Sequence, residues 1–237
     1  MPNSPKVTTD FLREAEREAR AEAAPFAVLV AAAFVLLALV SLNAGWKLFQ
    51  GVGWWLWLVA AVPYVVLALM LLTGLGRVHD GQLRRRIVEV LLGVILVCSL
   101  VETGLLAASL VAPAKLVVSG PQLLQSASTL WLSNVLAFGL AFWELDCGGP
   151  IRRALAPQRR TPDIQFPQDE NPALAQPGWR PHLWDYLYLS TTNSIAFSPT
   201  DAMPLTYKIK ALMALESAVS VVAVLLIAAR AVNILQA

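Results

Sequence analysis

Apolar residues in this chain come in long, almost uncharged runs separated by short polar stretches. Five runs are long enough to cross a bilayer, at about residues 24–44, 52–75, 87–111, 125–145 and 211–235. A helix rises 1.5 Å per residue, so a hydrocarbon core of roughly 30 Å needs about 20 residues. A sixth run, residues 183–194, is too short to span and too apolar for a free loop. It breaks at Ser198-Pro199-Thr200-Asp201 and leads into the last long helix. The pattern predicts an all-α integral membrane protein with five transmembrane helices plus one re-entrant, pore-type half-helix.

The polar stretches add detail. Residues 1–23 are rich in helix formers of mixed charge, with Glu16 and Arg20 as an i,i+4 pair, and predict a short solvated helix. Acidic residues there argue against a secretory signal. Residues 24–111 form a three-helix transmembrane region, with Pro63 predicted to kink the second helix. Trp46, Trp54, Trp55 and Trp57 mark an aromatic belt at one interface. Residues 112–237 hold an outer helix (125–145), a loop (147–182), the half-helix and an inner helix (211–235). The proline-rich loop predicts an extended, surface-lying segment, with Trp179 and Trp184 pinning its end to the headgroups.

Charge sets the orientation. Lys6, Arg13, Arg17, Arg20, Arg77, Arg84, Arg85, Arg86, Arg152, Arg153, Arg159, Arg160, Arg180, Lys208 and Lys210 fall on one side, against Lys47, Lys115 and Arg230 towards the other. The positive-inside rule then predicts a cytoplasmic N-terminus, an outside C-terminus, and a half-helix that enters from the cytoplasm.

Composition narrows the classes. The chain is 57% hydrophobic and 14% charged, against about 25% charged for a soluble domain. A net charge of +2 without a basic, aromatic-interleaved stripe excludes nucleic acid as a partner. Cys98 and Cys147 have no C-x-x-C partner, and His79 and His182 are isolated, so neither metal nor other cofactor is expected. There is no G-x-S-x-G, H-E-x-x-H or glycine-rich phosphate loop, and catalysis is not expected.

What remains is polar chemistry inside the spans, where ionisable residues are costly and mark functional sites by default. Glu102 lies about 22 Å and Arg230 about 28 Å up their helices, a depth match compatible with an ion pair, whereas Glu216 lies only about 8 Å up. The two carboxylates are therefore not expected to share a proton. Arg230 can alternatively snorkel to the interface, leaving Glu102 to Thr103 or Ser99. Ser133 and Asn134 interrupt the fourth span as interhelical polar glue. Glu144 and Asp146 end that helix before Gly148-Gly149-Pro150, and acids at a helix C-terminus need compensation; Arg152 and Arg153 are nearest, predicting a structural clamp.

The succession of helix, short helix, hydroxyl-rich turn, aspartate and helix resembles the two-helix pore module of potassium channels. The stretch matching the filter T-T-V-G-Y-G-D runs from Thr191 through Thr192, Asn193 and Ser194 to Asp201. Only the threonines and the aspartate correspond. Without Gly-Tyr-Gly, whose backbone carbonyls make the filter, potassium selectivity does not carry over. The phrases Phe142-Trp143-Glu144-Leu145-Asp146, Gly148-Gly149-Pro150 and residues 196–206 are also similar to those of a group of uncharacterised multi-span proteins, implying a bacterial cytoplasmic membrane.

The leading functional expectation is a pore-loop ion channel without potassium selectivity, a homotetramer passing monovalent cations, constricted by Thr191, Thr192, Asn193 and Ser194. In that case Thr192 and Asn193 face a hydrated axis. The alternatives are a non-conducting adaptor or assembly subunit, whose half-helix merely plugs the bundle, and a small-solute or proton transporter using Glu102 and Glu216.

Overall fold

The computed structural model describes residues 9–44, 54–73, 81–111, 120–155, 161–198 and 201–235. The long helices are α1 (Thr9–Asn43), α2 (Trp55–Thr73), α3 (Gly81–Val111), α4 (Gly120–Leu145) and α8 (Tyr207–Leu235). Between α4 and α8 come the short α5 (Pro150–Leu155), β1 (Ile164–Gln165), α6 (Pro167–Glu170), α7 (Leu183–Ala196) and β2 (Met203–Pro204). Four helices are long and apolar enough to cross a membrane, over Arg13–Asn43, Trp55–Thr73, Arg86–Leu105 and Leu124–Gly148. Their length and composition mark a helical membrane protein. The last helix, α8, occupies the place of the fifth apolar run.

Side-chain size explains the packing. In α1 the buried positions Ala15, Ala19, Ala23, Ala27, Ala31 and Ala38 recur at helical spacing, a small-residue stripe that lets a neighbouring backbone come close. Phe34 fills the gap to α2, stacked 5.5 Å from Tyr64 and 6.4 Å from Trp57. On the outer faces, Leu29, Leu36, Val59, Val62, Val97 and Val101 are exposed, as lipid-facing side chains should be. By contrast α4 is surrounded: every residue from 133 to 143 is buried, and α1, α3, α7 and α8 all pack on it.

Two sequence expectations differ from the fold. The polar N-terminal helix and the first span are one continuous helix, because the alanine stripe runs unbroken across residue 23 and packs on α4 and α5. The loop after α4 is not merely surface-lying. Its Ile164 and Phe166 are buried, and β1 pairs antiparallel with β2, Ile164 opposite Pro204 and Gln165 opposite Met203. Alternating apolar side chains inside a proline-rich segment supply the anchor that its average composition conceals. Trp179 rests on Phe166 at 6.1 Å, while Trp184 is exposed with one edge against Phe26 at 5.1 Å.

Helix α7 covers the short apolar run of residues 183–194 and ends at Ala196. Asp185 accepts a hydrogen bond from the His182 backbone N–H at 2.7 Å, and Glu22 of α1 accepts from Leu183 N–H at 3.3 Å. Both place negative charge at the positive end of the helix. Phe197, at φ 55, ends it in the left-handed region.

Candidate functional site

Three elements meet around Glu216. Gly139 of α4 sets the approach: a Cβ there would lie 2.6 Å from Leu187 Cδ2 and 3.2 Å from Leu187 Cα, so only glycine lets α7 sit this close. One turn away on each helix, the Ser190 hydroxyl lies 2.8 Å from the Val135 carbonyl and also bonds the Glu216 carboxyl. Asn193, on the same face of α7, donates through Nδ2 to Met213 O at 3.0 Å and to Glu216 Oε2 at 2.7 Å. Ser217 Oγ sits 3.3 Å from Asn193 Oδ1. Next along α8, Ser220 Oγ accepts from Asn134 Nδ2 at 2.9 Å. Glu216, Ser190 and Ser220 are fully buried, and Asn134 and Asn193 are 1% exposed.

The Ser190 hydroxyl has one hydrogen and two acceptor neighbours, the Val135 carbonyl and Glu216 Oε1. That hydrogen serves one of them alone or both in a three-centre bond. Asn193 has two N–H groups for its two acceptors and supplies nothing to spare. No basic side chain forms an ion pair with Glu216 among the described residues. The geometry is thus that of a buried carboxyl accepting from the Ser190 hydroxyl and the Asn193 amide.

The residues expected to line a pore are placed differently. Asn193 is buried in the protomer and engaged by Glu216, so it does not face open space. Thr191, Thr192 and Ser194 return their hydroxyls to the carbonyls of Leu187, Leu189 and Thr191, at 2.7, 3.0 and 2.9 Å. Thr191 and Thr192 are half-buried and Ser194 is fully buried.

A second cluster surrounds Glu102. Its side chain is 6% exposed, and Oε2 has no hydrogen-bond partner among the described residues. Tyr64 of α2 is 1% exposed, with Ser99 and Ser133 close to its hydroxyl. Glu102 and Glu216 stand in separate clusters, and the adjacent Ser133 and Asn134 of α4 belong to one each. The Arg230 side chain lies outside the described residues, and so does its pairing with Glu102.

The clamp at the end of α4 is built on Asp146, with Arg153 rather than Arg152 as its basic partner. Cys147, Gly148 and Gly149 all have positive φ (51°, 81° and 99°) and reverse the chain. A Cβ at 149 would meet the Glu144 carbonyl at 3.1 Å, hence the glycine. Asp146, 1% exposed, accepts from the backbone N–H groups of Asp163 at 2.9 Å and Ile164 at 3.1 Å, and from the Tyr186 hydroxyl at 2.6 Å. Arg153 Nη1 donates to the carbonyls of Trp143 at 2.7 Å and Asp146 at 2.9 Å, and its guanidinium lies 5.0 Å from the Tyr186 ring centroid. Arg152 is exposed, one step round the helix. Burial holds the Tyr186 phenol well above its usual range, Arg153 opposing and Asp146 adding to that shift, so Tyr186 stays a donor. Sequence reasoning missed Tyr186 and Asp163 because their partners are distant in the chain. Glu144 is half-buried beside Gly149.

Compared with known proteins, the chain matches no family model, no curated protein and no solved structure.

Proposed function

We propose that the protein is a proton-handling membrane transport protein in which Glu216 binds and releases the proton. In this reading α8 is the fifth span and α7 a re-entrant segment entering from the cytoplasmic side, in keeping with the distribution of basic residues. The observation that carries it is the fully buried Glu216 carboxyl at the junction of α4, α7 and α8, met by Ser190 and Asn193 and by no cation among the described residues. An uncompensated ionisable group inside a span is expensive to keep and is a functional site by default. Polar side chains continue from it through Ser220 and Asn134 to Ser133 and the Glu102 cluster. That succession gives a route for protons or for a small solute coupled to them.

The ring-type pore is the weaker reading. It needs Asn193 on a shared axis, and Asn193 is committed to Glu216 and the Met213 carbonyl within one chain. The transport reading requires no tetramer.

Glu216→Gln tests the proposal selectively. A glutamine amide can donate to Ser190 and accept from Asn193, but it cannot release a proton. The variant is expected to fold with a melting temperature close to wild type and to lose at least ten-fold of the proton flux in proteoliposomes carrying an internal pH dye. Wild-type protein that passes no protons under either gradient direction would sink the proposal in favour of a non-conducting adaptor.

A further inference from the structure

We propose that a cavity between α1, α5 and the approach to α7 binds the headgroup of an aminophospholipid, a phosphodiester carrying a primary ammonium, as in phosphatidylethanolamine. The cavity, of about 50 Å³, is walled by Glu18 and Glu22 of α1, Arg153 of α5, and Arg180 and His182 just before α7. One water needs about 10–15 Å³, so there is room for a group of several heavy atoms. The cavity lies where charge gives way to hydrocarbon. Glu22 is the last charged residue of α1 before an uncharged run to Trp46, and Glu144 is the first charged residue of α4. A second cavity adjoins it, walled mainly by apolar side chains, among them Leu67, Leu71, Leu92 and Leu140. Ala19 and Trp143 line both cavities, and the small side chains of the alanine stripe leave the room. A charged cavity beside an apolar one, at the membrane boundary, is what a lipid with its head and first chain carbons would fill.

The charges select the headgroup. Arg180 Nη2 and Glu18 Oε2 are 4.0 Å apart, beyond hydrogen-bond distance, so this loose pair keeps a donor and an acceptor for a ligand. The Arg153 side chain is 10% exposed, and its Nη2 has no hydrogen-bond partner among the described residues. Buried polar atoms are nearly always paired, and a phosphate oxygen is an acceptor that guanidinium groups bind strongly. On the acidic wall, Glu22 Oε1 lies 2.5 Å from His182 Nδ1, and Oε2 accepts from Leu183 N–H at 3.3 Å. A carboxylate has about four lone-pair sites, so Glu22 can still accept from an ammonium. A primary ammonium donates three hydrogen bonds, whereas the trimethylated amine of a choline lipid donates none. An anionic headgroup without an amine would meet Glu18 and Glu22 with nothing to offset them.

Native mass spectrometry of the purified full-length protein in detergent, titrated with one lipid at a time, tests this without any flux assay. One phosphatidylethanolamine is expected to bind per chain, about ten-fold tighter than phosphatidylcholine or phosphatidylglycerol with the same acyl chains, the yield of one charge-assisted hydrogen bond. Glu18→Gln combined with Glu22→Gln should bring phosphatidylethanolamine to within about two-fold of phosphatidylcholine. Arg180→Ala should weaken phosphatidylethanolamine and phosphatidylglycerol alike, while Arg152→Ala, exposed and outside the cavity, should change neither. Glu18 and Arg180 are both exposed, so if the double variant does not fold, Glu18→Gln and Arg180→Ala carry the comparison. Water-soluble glycerophosphoethanolamine lacks the chains and should compete only at about a hundred-fold higher concentration. Equal affinity for the ethanolamine and choline lipids, tighter binding of phosphatidylglycerol, an unchanged preference in the folded cavity variants, or competition by the soluble headgroup at lipid concentrations overturns the proposal.

Discussion

Gly139→Ala probes the contact that seats α7 in the bundle. A methyl group at 139 would lie 2.6 Å from Leu187 Cδ2 and 3.2 Å from Leu187 Cα. Cδ2 can rotate, but Leu187 is 4% exposed and has little room; its Cα can yield only if α7 moves. Overpacking of this kind costs about 1–3 kcal/mol. Alanine returns close to 1 kcal/mol in helix propensity, so the net loss is about 0–2 kcal/mol. Gly93→Ala and Gly104→Ala are the controls, since neither Cβ meets anything within 4 Å and both should be neutral or stabilising. The expected gap between Gly139→Ala and these controls is the overpacking term, about 1–3 kcal/mol, or about 2–12 °C in melting temperature at about 2–4 °C per kcal/mol. Thermal unfolding in a single detergent reads this directly. Leu187→Ala in the Gly139→Ala background should recover part of the loss, a positive coupling between the two positions. Gly139→Ala protein as stable as the controls, with no coupling to position 187, would refute the close seating of α7 on α4 and the geometry of the Glu216 cluster with it.

Two further outcomes follow from the same structure. Tyr186→Phe removes the hydroxyl donor to the buried Asp146 Oδ2 and should cost about 1–3 kcal/mol in a denaturant titration; Arg152→Ala, at an exposed position, should stay within about 0.5 kcal/mol of wild type. For orientation, a cysteine at Gln165 should be protected from an impermeant thiol reagent in intact cells and labelled after lysis; labelling in intact cells would reverse the assignment of the loop to the cytoplasmic side.

Hydropathy alone located the long helices and the half-helix, because a segment that must bury its own backbone polar groups in lipid has few options beyond a helix of set length. It also singled out Glu102, Glu216, Asn134 and Asp146 as polar groups too costly to be incidental. What it left open was their company. Asp146 lies 40 residues from Tyr186, Asn134 lies 86 from Ser220, and Glu216 lies 26 from Ser190; no local period encodes such partners. The hydroxyl-rich run of α7 does not by itself say which neighbours its side chains meet. Tertiary packing sets those neighbours. Gly139 lets α7 approach α4 closely, Ser190 and Asn193 turn inwards onto Glu216, and the hydroxyls of Ser190, Thr191, Thr192 and Ser194 each reach a backbone carbonyl.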